Sequence, residues 1–384
     1  MAQSATVRIV NSKHLASLRD KKRCSCDIII DEGLLAKGKI TRFASALLKR
    51  TPTSCVVITD STVHRLYGSV AVEGLSKIAK TDLILVPPGE KSKTFDVCIK
   101  ILSDLAKLGL ERDGALILLG GGVVGDIGGF VASIYKRGVK YIQVPTTLLA
   151  QIDSSIGGKT GIDAEWGKNQ IGTFYPPAGV LIDPILLKTL PRHEVLSGIG
   201  EMVKYGVISS ERIFSELERS KAHSSSDIGH LIEPCCKIKA RLASKDPFDS
   251  NIRSILNYGH TIGHALEATS EYAISHGIAV LFGMLSEGWI AHELGIFQVS
   301  DFQRQESLIK RLLTTNSRLD FQMQHERIVK FALSDKKNAG GKLRMSLPER
   351  LGKMHQNKKD GFKIPVSVDL LKPSVDYLKR VLST

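Results

Sequence analysis

The chain runs to 384 residues, a length that suits two domains better than one core. Its apolar content of 42% argues against disorder, and its longest apolar runs stop short of the ~18 residues that a membrane span needs. The formal charge of +14 is spread along the sequence, and the densest basic run, Lys353 to Lys359, has no interleaved aromatics; we expect a solvated surface and small anionic ligands, with no nucleic acid and no membrane as partners.

In chain order, the first half alternates short β-rich runs with helical patterns. Strands are expected over 26–30, 54–59, 82–86, 115–119 and 140–144, with an amphipathic helix over 94–108 closed by Gly109. Strand–helix repetition implies an α/β domain over residues 1–185 with a mostly parallel sheet covered by helices. Asp183-Pro184 and Leu190-Pro191 interrupt the pattern. Helical periodicity then dominates over 193–207, 211–219, 226–244, 253–270, 277–294 and 301–313, so residues 186–384 read as an all-α domain with a Lys-rich tail. The six cysteines form no C-x-x-C, and adjacent Cys235 and Cys236 make poor disulfide partners. They read as reduced thiols of a cytoplasmic protein, and residues 1–20 contain no signal-peptide core.

Three stretches carry chemistry. The run Gly120-Gly121-Gly122-Val123-Val124-Gly125-Asp126 follows a strand and opens a helix, the context in which backbone N–H groups cradle a dinucleotide pyrophosphate. It lies several strands into the sheet, and the next strand ends in Gln143-Val144-Pro145-Thr146 without an acid for a ribose. Asp60, at an earlier strand end, is the better ribose candidate, and Glu90 and Lys93 could add contacts. A purely structural glycine turn is the alternative. Pro145 to Gly161 sets Asp153 and Lys159 among hydroxyls and glycines, with Lys168-Asn169 following; it reads either as an exposed loop or as a surface for a polyhydroxylated anion. Finally, His260 and His264 share a helix face, His276 follows, and Glu201 lies upstream with Lys204 three residues on. One carboxylate and two imidazoles can hold zinc with a position left open, but spacing does not say which histidines ligate.

Leu118 to Asp126, Pro145 to Gly161, Gly167-Lys168-Asn169, Lys188 to Pro191, Gly200 to Gly206, Asn257 to His260 and Asp335 to Asn338 together resemble the 3-dehydroquinate synthase family. The resemblance runs in order from about residue 55 to 350. It implies a homodimer with an α/β and a helical domain, bound NAD, and zinc (or cobalt) held by Glu201, His260 and His276. It places NAD contacts on Asp60, Glu90, Lys93, Gly122, Val123, Val124, Gly125, Asp126, Thr146, Thr147, Leu186, Leu187, Lys188 and Thr189, with Lys159 and Lys168 near cofactor or substrate. Contacts to a small sugar-phosphate substrate fall on Asp153, Lys159, Asn169, Lys204, Lys239, Arg253, Asn257 and His264, with Lys337 (or Lys336) on phosphate and Arg137 reaching a neighbouring subunit's phosphate. The implied reaction turns 3-deoxy-D-arabino-heptulosonate 7-phosphate into 3-dehydroquinate by transient oxidation, phosphate elimination, re-reduction and aldol closure. Two positions depart from the family: Ile278 stands where Glu is common, which puts an orienting hydrogen bond from that position in doubt, and His193 replaces an Arg. The rival expectations are a cyclase acting on another sugar phosphate, a metal-dependent polyol dehydrogenase, and a nucleic-acid binder. Lys239, Asn257 and His264 favour the dehydroquinate type over the first of these.

Overall fold

The computed structural model describes residues 6–11, 25–35, 39–220, 224–271, 273–316, 325–334 and 343–383. The chain divides into two compact units, residues 1–190 with 239–248, and residues 191–238 with 249–384. A single cut at 185/186 therefore misses one feature: the segment Lys239–Phe248 lies inside the helical half of the sequence but belongs to the first unit.

The first unit is built on strands β1 (Thr6–Asn11), β2 (Ser25–Ile30), β3 (Ser54–Asp60), β4 (Lys80–Val86), β5 (Ala115–Gly120), β6 (Lys140–Pro145), β7 (Lys159–Ala164), β8 (Gly167–Phe174) and β9 (Gly179–Ile182). Seven of them form one sheet in the order β1-β2-β9-β6-β5-β3-β4, and every pairing in it is parallel. The central strands are continuous apolar runs because both faces are covered. On one face Val57, Ile117 and Leu119 pack with Ile40, Phe43 and Leu47 of α1 (Lys39–Leu48) and with Leu75 of α2 (Ser69–Ser76). On the other, Val56, Ile58, Leu116 and Leu118 pack with Ile101 and Leu105 of α3 (Phe95–Lys107) and with Ile127 and Val131 of α4 (Gly122–Ile134). Successive residues of one strand thus serve opposite cores.

The segment 145–161 is not the loop its polarity suggested. It contains a wide helical turn at Ala150–Ser154, and from Lys159 it becomes β7, paired antiparallel with β8. Glycines mask this hairpin in the sequence. Its two strands come so close that a Cβ on Gly161 would stand 2.6 Å from the carbonyl oxygen of Ile171.

The second unit holds α5 (Arg192–Ser209), α6 (Glu211–Arg219), the first turns of α7 (Ile232–Lys245), α8 (His260–Thr269), α9 (His276–Glu293), α10 (Val299–Asn316), α11 (His325–Ser334) and α12 (Leu371–Ser383). Two short antiparallel pairings, Leu343–Met345 with Ile364–Val366 and Pro348–Arg350 with Lys353–Met354, interrupt the helical pattern. Helices α5 and α9 are buried along most of their length, so their sequences are apolar nearly all round. They touch backbone to backbone: a Cβ on Gly277 would collide with the carbonyl of Ser197, and one on Gly200 with that of Gly277. The helix expected over 253–270 is broken. A tight turn, Ile252–Asn257, ends at Tyr258, and Gly259 adopts φ 78° before α8 begins. Among the described residues, no helix is long and apolar enough to cross a membrane. Cys26, Cys55, Cys98, Cys235 and Cys236 are free thiols and buried.

Candidate nucleotide and metal sites

The chain leaves β3 for β4 on one side and returns to β5 on the other, so the sheet order reverses between β3 and β5. Parallel sheets bind ligands at such a point, beyond the carboxyl ends of the strands. Asp60 and Gly121 flank it. Helix α4 starts at Gly122 with no side-chain cap, so its first-turn amides point to the strand ends as an anion site. The glycines divide in role. Side chains at Gly120 and Gly125 would strike Val124 Cγ2 at 2.6 Å and Gln143 Oε1 at 2.7 Å, so these two serve packing. At Gly121 and Gly122 an added Cβ would stand 3.1 Å from Thr147 Cγ2 and 3.2 Å from Ser154 Oγ, a milder crowding that still favours a bare backbone beside the first-turn amides.

The other expected nucleotide residues occupy the same edge of the sheet. Asp60 Oδ1 accepts the N–H groups of Thr62 and Val63 at 2.8 and 2.9 Å. Thr146 donates its N–H to Gly120 O at 3.0 Å, and Thr147 Oγ1 accepts the N–H of Ala150 at 3.1 Å. Val124, Leu186 and Leu187 are buried, Val124 and Leu186 in the two sheet cores, so they can offer a ligand only backbone. Lys188 and Thr189 are exposed, and the Thr189 hydroxyl meets Tyr67 Oη at 2.5 Å.

Beside the glycine turn, Lys93 is buried and its Nζ donates to Asp126 Oδ2 and Asn169 Oδ1, both at 2.6 Å. Burial works against the charge on Lys93, but Asp126, Glu90 and Asp163 outweigh it and raise the ammonium above its ordinary value. Lys168 Nζ lies 3.2 Å from Glu90 Oε1. Asp163 escaped the sequence reading. Its Oδ1 accepts the Asn169 N–H at 2.8 Å and so shapes the hairpin end, where Asn169 takes φ 54°. Elsewhere in this unit Lys239 Nζ bonds Asp153 Oδ1 at 2.8 Å, which unites two residues 86 positions apart. Lys159 is exposed at the start of β7.

In the second unit the rings of His260, His264 and His276 cluster, with centroids 5.2 to 5.9 Å apart. His260 Nδ1 lies 3.1 Å from the carbonyl oxygen of Tyr258, which only accepts, so this nitrogen carries the proton. Nε2 then turns a lone pair toward Glu201 Oε1 at 3.5 Å. His276 repeats the arrangement: Nδ1 is 3.0 Å from Glu267 Oε2, and Nε2 is 3.5 Å from the same Glu201 oxygen. Burial works against a charge on His276, but Glu267 and Glu201 outweigh it and push the imidazole up to about 10. Two imidazole nitrogens facing one carboxylate oxygen form a set that a cation can bridge, a proton on His276 in the metal-free fold or a metal ion in its place. Ligands of tetrahedral zinc, at ~2.0–2.1 Å from the ion, stand about 3.3–3.4 Å apart, so the residues fit the group. Lys204, one turn along α5, makes an ion pair with Glu201. His264, Glu267 and His276 form an overlapping set of possible ligands, but there Glu267 already holds the far nitrogen of His276. Ile278 itself has no polar side chain to orient His276, and the hydrogen bond at His276 Nδ1 is made by Glu267, which no sequence motif singles out.

Arg253 is buried in the turn before α8, while Asn257, half-buried, lines a cavity of about 110 Å³ with Arg344 and Lys363. His264 is exposed. Arg137 is exposed, with φ 61°, just before β6 and so at the sheet edge opposite the glycine turn. Lys336 and Lys337 lie outside the described residues.

In architecture the chain is similar to 2-deoxy-scyllo-inosose synthase, solved with carbaglucose-6-phosphate, NAD+ and Co2+ (TM-score 0.81, 26% identity, 91% of this chain and 95% of that one). It is also similar to 2-epi-5-epi-valiolone synthase of Streptomyces hygroscopicus subsp. jinggangensis (TM-score 0.78, 23% identity, 94% and 98% covered). The fold is therefore the dehydroquinate synthase-like fold of cyclases. Residues 83–197 match the family model for the 3-dehydroquinate synthase N-terminal region, and residues 198–338 that for the C-terminal region. The 3-dehydroquinate synthase of Thermodesulfovibrio yellowstonii is 42% identical over 334 residues, covering 85% of this chain and 92% of that one. The chain belongs to the 3-dehydroquinate synthase family.

Proposed function

We propose that the chain converts 3-deoxy-D-arabino-heptulosonate 7-phosphate to 3-dehydroquinate and inorganic phosphate. The observation that carries this reading is the convergence of His260 Nε2 and His276 Nε2 on one oxygen of Glu201 in a chain of this family. When bound, NAD would take a hydride from a ring carbinol and return it, while zinc would draw electron density from that carbinol's oxygen. Cobalt is the alternative ion, as in the 2-deoxy-scyllo-inosose synthase.

The protein's own part is binding and orientation. The amides at Gly121 and Gly122 would take the pyrophosphate, and Asp60 the ribose hydroxyls, with Glu90, Lys93, Asp126, Thr146 and Thr147 around them. Arg253 and Lys239 would hold the substrate carboxylate, which a guanidinium can grip with two parallel hydrogen bonds. Lys159, Asn257 and His264 would hold the phosphate, joined by Lys337 and by the partner subunit's Arg137. The placement of Arg137 at the edge away from its own glycine turn supports that role in trans. Lys204, beside Glu201, would add positive charge at the carbinol. The phosphate group can itself accept the proton that its elimination releases, so no strong protein base is required. On this reading the protein works as a cytoplasmic homodimer.

The test is turnover of the heptulosonate phosphate with NAD and zinc. Phosphate release with no lasting NADH absorbance is expected. Net NADH accumulation would make the protein a polyol dehydrogenase, and equal use of a sugar phosphate lacking the carboxylate would point to another cyclase.

A further inference from the structure

Helix α8 opens on His260 without a cap of its own. Gly259 stands at its N-cap with φ 78°, and no side chain of that residue can cover the helix end. A larger residue is barred there, because its Cβ would lie 2.7 Å from Met284 Cγ and 2.8 Å from Val280 O of α9. Gly283 permits this approach, since a Cβ on it would strike the carbonyl of Gly259. One turn further along α9, Glu287 closes the helix end from across the interface. Its Oε1 accepts the N–H groups of Thr261 and Ile262 at 2.8 and 3.1 Å, and its Oε2 accepts that of Gly259 at 2.8 Å. Glu287 is 0% exposed.

The bond to Gly259 reaches the metal-facing imidazole. That N–H belongs to the same peptide group as the carbonyl of Tyr258, and this carbonyl accepts the Nδ1 proton of His260 at 3.1 Å. A carboxylate drawing on the N–H end of a peptide makes its carbonyl end a stronger acceptor. A stronger acceptor on Nδ1 leaves more electron density on Nε2, the atom that faces Glu201.

We propose that Glu287 is a positioning residue for the metal centre, acting on His260 through the Tyr258–Gly259 peptide as Glu267 acts on His276 directly. Each imidazole then has a carboxylate behind it, one immediate and one relayed. The inference rests on the metal-binding reading above and adds a residue to it.

The test is zinc affinity by chelator competition for the parent protein, Glu287→Gln and Glu287→Asp, with the thermal midpoint of each metal-free protein and the visible spectrum of each Co2+-loaded one. Gln keeps an acceptor for Thr261 and Ile262 but loses the charge behind Gly259. We expect Glu287→Gln to bind zinc about 10- to 100-fold more weakly and to shift the Co2+ bands, with Glu287→Asp recovering part of the loss. A folded Glu287→Gln with parental zinc affinity and Co2+ spectrum would overturn the proposal alone. So would failure of both variants to fold without metal, which would make Glu287 a structural cap only. A parent protein that takes up no zinc would overturn the metal reading along with it.

Discussion

The spacing of three histidines within one turn and one loop of each other did not choose between them as ligands; only the family resemblance named His260 and His276. The proposed ligand set is supported by which nitrogen of each ring is already engaged. Tyr258 O takes Nδ1 of His260, and Glu267 takes Nδ1 of His276, so both rings turn Nε2 the same way. Neither partner carries a spacing signal. Tyr258 acts through its backbone, and Glu267 is nine residues before His276, brought back to it by the loop between α8 and α9. The same contacts predict a pH response. His276 holds its proton more tightly in the metal-free fold than in the unfolded chain, where imidazoles titrate near ~6.5. That stabilisation is complete below ~6.5 and is lost as the pH rises through about 10. The metal-free protein should therefore show a falling urea midpoint across this window, flattened when zinc takes the proton's place. A midpoint that climbed between those limits without metal would contradict the assigned contacts of His276.

Among elements, the parallel strands were legible because burial on both faces demands unbroken apolar runs, as in Val56 to Ile58 and Leu116 to Leu119. The β7–β8 hairpin was not, since its glycines meet one another across the pair and leave no alternation to read. The break at Gly259 was hidden for a different reason: what forces it is the approach of α9, far along the chain. Close helix contacts of this kind invite a direct test. Gly277→Ala places a methyl against the Ser197 carbonyl, where only backbone can yield. Overpacking of this sort costs about 1–3 kcal/mol, and here it would also part Glu201 on α5 from His276 at the start of α9. We expect a lower thermal midpoint together with reduced zinc content. Loss of stability with full zinc occupancy would show that the metal ligands do not depend on that contact.

For the molecule as a whole, the periodicity changes near residue 186 and the compact units part after residue 190, while the return of Lys239–Phe248 to the first unit has no counterpart in the pattern, because helical periodicity does not announce which neighbour a helix packs against. The proposed homodimer makes one clear prediction. If Arg137 serves the partner's site, Arg137→Ala and His276→Ala should each abolish turnover, yet hybrid dimers of the two should contain one intact site. Random mixing gives half hybrids with one of two sites restored, about a quarter of the parent activity. Co-expression followed by a phosphate-release assay reads this directly, and no recovery in proven hybrids would confine Arg137 to its own subunit.

Helix α7 starts in one unit and finishes in the other. No single break in the chain can therefore yield two complete halves. A fragment ending at residue 190 would lack the lysine that bonds Asp153, and its complement would carry an orphaned tail, Lys239–Phe248, with nowhere of its own to pack. A protease nick near residue 190 should accordingly leave two pieces that stay together until denatured.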